Sequence, residues 1–303
     1  MTLDARKLAA IVAIALGIGL VYWRVFIGLV DAWMVDGNYS HGFLIVPIAA
    51  YLAWERRDRL RAAALRPTSL GLVVLAGGIV VLLVGLLGAE LFLTRISLLG
   101  TLAGIMLFLF GAAHLRILLF PLAFLLLMIP LPAIIFNQIA FPLQLFASRV
   151  GEAAIAGAGI PVLREGNVLI LANTSLEVAE ACSGIRSLVS LPTLAIVYGY
   201  FTDSRSWVRT TVALSTLPVA ILANGARVAG TGIASHWWGP SAAEGVFHEF
   251  SGWVVFVVAF VMMLGLQRLI LWIAPKRRPA AAPPTALAGG AGPAVPDSPD
   301  VGH

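Results

Sequence analysis

The chain has 303 residues, of which 60% are hydrophobic and only 12% charged, with a mean hydropathy of +0.95. A soluble domain of this size is nearer half apolar and a quarter charged, so the composition excludes one and indicates an integral membrane protein. The net charge of +5 then bears on orientation in the bilayer and gives no indication of a nucleic-acid partner.

A helix needs about 20 apolar residues to cross about 30 Å of hydrocarbon. By that measure the sequence predicts eight spans, at about residues 8–28, 39–54, 69–92, 96–113, 115–136, 182–201, 208–231 and 250–273. The run Leu8 to Tyr22 follows Arg6 and Lys7, as a signal peptide would. Trp23-Arg24 succeeds it where a small-residue cleavage site would stand, so it reads as a retained helix. In the fourth span Gly100 and Gly104 form a small-xxx-small pair suited to helix packing within the chain.

Charge sets the orientation. With the amino terminus in the cytoplasm, the inner segments hold Arg6, Lys7, Arg56, Arg57, Arg59, Arg61, Arg66, Arg116, Arg205, Arg209, Arg268, Lys276, Arg277 and Arg278, 14 of the 20 basic residues. Both termini are therefore expected in the cytoplasm and the long 130–181 connection outside. In that connection Pro130 and Pro132 interrupt the fifth span. Residues 133–158 then alternate apolar stretches with Asn137, Gln138, Gln144, Ser148, Arg149 and Glu152, which suits a short amphipathic helix along the outer interface. Val162 to Leu171, a turn at Asn173-Thr174-Ser175, and Leu176-Glu177-Val178 read as a small β-hairpin before the sixth helix. The expected fold class is thus an all-α polytopic membrane protein of about eight helices over 1–274. Its Pro-, Ala- and Gly-rich tail, 275–303, is expected to be disordered in the cytoplasm.

Cys182 is the only cysteine. One thiol closes no disulfide within the chain and supplies no multi-cysteine metal site, and neither a metal nor a cofactor is expected. Two readings remain, an inert buried thiol or a nucleophile. Ser183 and Gly184 leave room for a substrate backbone, the helix amino end favours thiolate, and Arg186 adds positive charge one turn deeper. On the seventh helix, Arg227 lies some 20 residues past Trp207, about 30 Å at 1.5 Å per residue, which puts it at the outer interface with Asn224 on its face. There Arg227 either snorkels to headgroups or serves a site. His248 stands before the eighth span with Ser251 and Gly252 one turn on, and its bland reading is a satisfied interfacial histidine. His41, in Tyr39-Ser40-His41-Gly42, falls in the same outer layer with a structural or substrate-contact role. His236, beside Trp237 and Trp238, reads as an interface anchor. A thiol, a group titrating near neutrality and a fixed cation on three helices at one depth are the parts of cysteine acyl transfer.

Glu180-Ala181-Cys182-Ser183-Gly184-Ile185-Arg186, Asn224-Gly225-Ala226-Arg227-Val228, His248 through Gly252 and the early Ser40-His41-Gly42 resemble the signature set of the exosortase/archaeosortase family of membrane transpeptidase-like proteases. The resemblance covers roughly residues 10–273. It implies an enzyme of the bacterial inner membrane with its active site at the periplasmic face. The implied substrate is the carboxy-terminal tail of a membrane-anchored PEP-CTERM protein, cut at its Pro-Glu-Pro motif and passed to an unknown acceptor, often in organisms that make exopolysaccharide. Carried over, Cys182 is the acyl-thioester nucleophile and Arg227 and His248 its catalytic partners, with histidine at 248 placing the chain nearer the bacterial branch. Two rivals stand beside this reading. A transporter or polysaccharide-export subunit would need polar residues deep in the spans, and an acyltransferase using His248 would leave Cys182 dispensable. Reporter fusions at His303 and near Asn173 test the orientation: alkaline phosphatase is expected to be inactive at His303 and active near Asn173, and activity at His303 would place the whole site on the wrong side.

Overall fold

The computed structural model describes residues 5–172, 174–178, 184–203, 205–239 and 245–273. Expectations placed on Cys182, Ser183 and the 275–303 tail lie outside those residues. The chain is an all-α polytopic membrane protein with one small sheet. Its elements are α1 (Ala5–Val21), α2 (Trp23–Val35), α3 (Gly42–Glu55), α4 (Arg57–Ala62), α5 (Leu70–Leu87), α6 (Leu91–Leu109) and α7 (Ala112–Phe124), which a 3₁₀ turn, Leu125–Met128, continues. Then come α8 (Ala133–Gly157), β1 (Val162–Glu165), β2 (Val168–Leu171), β3 (Ser175–Glu177), α9 (Gly184–Thr202), α10 (Ser206–Trp238) and α11 (Gly245–Ile273).

Among the described residues five helices are long and apolar enough to cross a membrane, and six if α1 and α2 make one bent span. Each of the eight expected spans overlaps a helix, but of these only α5, α6, α10 and α11, with α1 and α2 taken as one bent span, are long and apolar enough to cross; the remaining helix of that kind is α8, which was expected along the interface. The first is two helices that meet at 65°. Their break falls at Tyr22, whose fully buried hydroxyl is 2.6 Å from Thr101 Oγ1 and accepts from Ser97 Oγ at 3.3 Å. The second and fifth are short apolar helices. α7 with its 3₁₀ turn stops at Met128, ahead of Pro130 and Pro132, which cannot donate into a helix; α8 starts right after Pro132, where the missing N–H costs nothing. α8 has the length and apolarity of a crossing helix as well as those of an interfacial one.

The hairpin is also corrected. Residues 162–177 form a three-stranded antiparallel sheet in the order β1-β2-β3. Glu165 pairs with Val168 across a two-residue turn, Gly166-Asn167, where Gly166 takes φ +65°. Glycine at positive φ in that first turn position matches the twist of the flanking strands.

Three apolar cores result. The first joins α2, α3, α6 and α7 around Tyr22, Leu29, Ile45 and Leu52. The second joins α8, the sheet and Val228 of α10 around Ile155, Leu169 and Val178. The third joins α9, α10 and α11 around Leu191, Val212 and Met263. Hydrogen bonds identify the two ends of the helix array. Tyr200 donates to Glu55 at 3.0 Å, and Arg209 NH2 donates to the Tyr200 carbonyl at 3.0 Å, at one end. At the other, Trp33 Nε1 donates to the Met128 carbonyl at 2.9 Å, and the Leu131 N–H donates to Tyr39 at 3.1 Å.

α5 and α6 meet along a glycine stripe. Gly71, Gly78 and Gly85 recur every seven residues and face Phe108, Thr101 and Thr94, while Gly104 faces Leu75. Gly100, 3.6 Å from Gly78 at its missing Cβ, belongs to the same contact, so the small-xxx-small pair is intramolecular packing. A side chain at Gly78 would begin 2.7 Å from Thr101 Oγ1, whereas at Gly77 it would meet nothing within 4 Å. Gly78→Val is therefore expected to cost about 1–3 kcal/mol of overpacking and to lower the melting temperature in detergent, with Gly77→Val near wild type.

The α9–α10 turn is tied by Asp203, which accepts from Arg205 N at 2.7 Å and from Arg205 NH2 at 2.7 Å. The guanidinium holds the Asp203 carboxyl below its ordinary 3.8, against the opposing effect of desolvation. A depressed carboxyl stabilises the fold above its unfolded value and loses that contribution as pH falls through the folded one. Melting curves should accordingly show an acid-dependent loss below about pH 3.8 that Asp203→Asn abolishes.

Candidate functional site

α10 has 33 residues, about 50 Å at 1.5 Å per residue, against about 30 Å of hydrocarbon. It therefore takes part in two cores. Val208, Val212, Val219, Ala220 and Ala223 lie in the core shared with α9 and α11. Beyond them the helix turns glycines toward α8: a Cβ on Gly225 would sit 2.8 Å from Val150, and Gly232 abuts Ile155. From the α8 side Gly151 reciprocates, 2.6 Å from Val228 Cγ1 at its missing Cβ. These close approaches fasten the far third of α10 to α8 and the sheet. Arg227 stands where the two cores meet.

Its guanidinium is built into the α10–α11 contact. Arg227 is 7% exposed, and Nε donates to Ser251 Oγ at 3.3 Å. The missing Cβ of Gly252 would lie 3.2 Å from NH2, 3.3 Å from Cζ and 3.4 Å from NH1. Glycine at 252 thus leaves the space across which the planar group lies, and any larger residue would press on it. An arginine keeps its charge when buried, so a burial of this depth requires hydrogen-bond partners.

Of the residues singled out in the sequence, the structure brings Arg227 and Gly252 together, with Ser251 between them in the role of acceptor. Asn224 lies three residues before Arg227, and its Oδ1 is buried with no hydrogen-bond partner, an acceptor open to a donor that the described residues do not supply. His248 occupies the first turn of α11, three and four residues before Ser251 and Gly252, so its backbone is one turn from the Arg227 seat. Gly184 and Arg186 lie in the first turn of α9, which packs along α10. The side chains of Arg186 and His248, like Cys182 and Ser183, are outside the described residues.

His41 goes elsewhere. Its Nε2 is 3.1 Å from the Leu127 carbonyl, in the knot that Trp33 and Tyr39 make with the end of α7, and its ring lies 6.2 Å from that of Tyr39. That is the structural half of the role expected for it. His236 meets Trp237 edge-on, with Trp237 and Trp238 70% and 76% exposed, an arrangement suited to an interface anchor.

Between α10 and α11, beside the guanidinium, is an open cavity of about 630 Å³. Its polar lining comes from Arg227, Ser251 and Thr231, and the rest is apolar. Thr231 was not among the residues the sequence singled out; extending the Asn224–Arg227 face by one more turn finds it. Among the described residues no group of three or more His, Cys, Asp and Glu could hold a metal ion. A buried cation beside an apolar cavity is suited to binding a carbonyl or carboxylate oxygen and to holding negative charge that develops on it.

The family model described as transmembrane exosortase matches residues 33–265. No curated protein and no solved structure matches the chain.

Proposed function

The chain belongs to the transmembrane exosortase family, and we propose that it is a membrane cysteine endopeptidase or transpeptidase that cuts PEP-CTERM-type carboxy-terminal sorting signals at the periplasmic face of a bacterial inner membrane. The observation that carries this reading is the seat of Arg227, a buried guanidinium fixed by Ser251 and Gly252 one turn from His248 and open to a cavity.

In the proposed reaction the Cys182 thiolate attacks the scissile carbonyl carbon, and the C=O electron pair moves onto the oxygen. Arg227 stabilises that oxyanion. The C–N bond then breaks, His248 gives its proton to the departing amine, and a thioester joins the substrate to Cys182. An acceptor nucleophile attacks the thioester carbonyl and restores the thiol. Asn224 Oδ1, buried and without a hydrogen-bond partner among the described residues, would accept a donor from the substrate or from a neighbouring catalytic group. Against the export-subunit alternative, the buried Tyr22, Ser97 and Thr101 bond to one another, and the buried Arg95 donates to the Gly28 carbonyl, so these groups are committed to internal partners.

Co-expression with an epitope-tagged PEP-CTERM protein tests the assignment, with membrane abundance of each variant measured beside cleavage. Cys182→Ala is expected to abolish processing and Cys182→Ser to leave at most a trace. Arg227→Lys keeps charge but loses the fork, and should cost nearly as much as Arg227→Ala, about 10²- to 10³-fold in rate. Gly252→Val should reproduce part of that loss with Arg227 intact. Wild-type processing by stable Cys182, Arg227 and His248 variants would leave the export-subunit reading in its place.

A further inference from the structure

Several buried hydroxyls on these helices return to their own backbone, and the buried Thr101 hydroxyl bonds that of Tyr22. Ser97 donates to the Thr94 carbonyl at 2.7 Å, Ser148 to Leu145 at 2.9 Å and Ser235 to Thr231 at 2.8 Å, and Thr216 bonds the Ala213 carbonyl. Thr231 is an exception. It is 7% exposed and lines the cavity between α10 and α11, yet its hydroxyl makes no hydrogen bond among the described residues. A hydroxyl that opens into a cavity and has no internal acceptor is available to a ligand that supplies one.

A second observation concerns the width of the same cavity. Gly225 and Gly232 are small because Val150 and Ile155 leave no room for a side chain. Gly230 lies between them in sequence, but a Cβ there would meet nothing within 4 Å. Internal packing therefore gives no reason for glycine at 230. Its place is the cavity wall, with Ala226 four residues before and Ala234 four residues after, all three lining the same space. Phe250 and Trp238, 62% and 76% exposed, stand at the edge of the cavity.

The charge of the lining narrows the occupant. Among the described residues that line it, Arg227 is the sole ionisable one, none is acidic, and the rest are apolar or aromatic apart from Thr231 and Ser251. A phosphate headgroup would draw on more than one accessible cation, and Arg227 is 7% exposed. A neutral hydroxyl donor among small apolar residues matches a peptide carbonyl, and the cavity volume of about 630 Å³ lies within the range of roughly 300–1,000 Å³ typical of ligand sites. Resting on the peptidase reading above, we infer that the groove between α10 and α11 is the subsite that seats the substrate peptide beside its cleavage point, with the Thr231 hydroxyl donating to a peptide carbonyl and Gly230 setting the width. Thr231 is a substrate-binding residue in this arrangement, and the floor of Ala226, Gly230 and Ala234 admits a backbone that larger residues would exclude.

The test uses the full chain purified in detergent, with Cys182→Ala in every sample so that binding is read without turnover. The probe is a fluorescein-labelled synthetic peptide that carries the Pro-Glu-Pro motif and the first apolar residues after it, and the dissociation constant comes from anisotropy. Thr231→Val, which keeps the shape and loses the donor, is expected to weaken binding by about 3- to 10-fold. Thr231→Ser should stay near the parent. Gly230→Leu should weaken it by more than tenfold and Gly230→Ala by less. None of the four should lower the melting temperature, since Thr231 gives up no internal bond and Gly230 has open space. Peptide binding equal to the parent in both Thr231→Val and Gly230→Leu overturns the inference. So does peptide indifference accompanied by loss of a co-purified phospholipid in Gly230→Leu, which assigns the groove to lipid. When Cys182-dependent processing of the co-expressed substrate persists alongside either result, the inference fails alone. When the parent binds no peptide and no Cys182-dependent processing occurs, the peptidase reading fails with it.

Discussion

A guanidinium taken out of water between two packed helices sets the terms for everything around it. Arg227 cannot give up its proton, so its burial has to be met by geometry. α11 meets it with a hydroxyl at 251 and an absent side chain at 252, and those two residues fix how closely the helix axes approach and in what rotation. A residue one turn earlier on α11 inherits that placement. His248 is such a residue, and the seat sets where its backbone stands along α11.

The seat holds because α10 is anchored on both sides of it. Toward one end the helix contributes Val212, Val219 and Ala220 to the core shared with α9 and α11. Toward the other, Gly225 and Gly232 bring its backbone against α8, and Val228 enters the core built on the sheet. A helix held in only one of these cores would be free to pivot at Asn224-Gly225, and the guanidinium would move with it. The small residues that permit close approach thus also hold the backbone on both sides of the guanidinium in place.

How much of this was legible in the residues follows from the range of the forces involved. Apolar runs announce helices because burial in lipid acts on each segment alone, and all the expected spans are found as helices. The break in the first helix was not legible. Tyr22 carries no local kink signal, and its position is decided by hydroxyls 75 and 79 residues away. The extra strand was legible and read through: Gly166-Asn167 is a two-residue turn signal, masked by the apolar runs on either side of it. For the site, polar residues on an apolar helix pointed to Asn224 and Arg227, and the turn after His248 to Ser251 and Gly252, whereas Thr231, being neutral and small, acquires meaning only from what lies opposite it.

The division of the apolar interior has a bearing on how such a chain is made. The core of α2, α3, α6 and α7 is complete in the first 129 residues apart from Ile196, Val197 and Tyr200, near the end of α9. Its buried polar groups, Tyr22, Ser97 and Thr101, find one another without help from later sequence. The amino-terminal half can therefore close in the bilayer while the ribosome is still engaged, leaving no unsatisfied hydroxyl exposed to lipid. α9 then docks onto a finished surface through Tyr200, which stacks on Phe120 at 5.0 Å between ring centroids and bonds Glu55. α10 and α11 complete the assembly, so the seat of Arg227, which needs both of these helices, is the last part of the molecule to form.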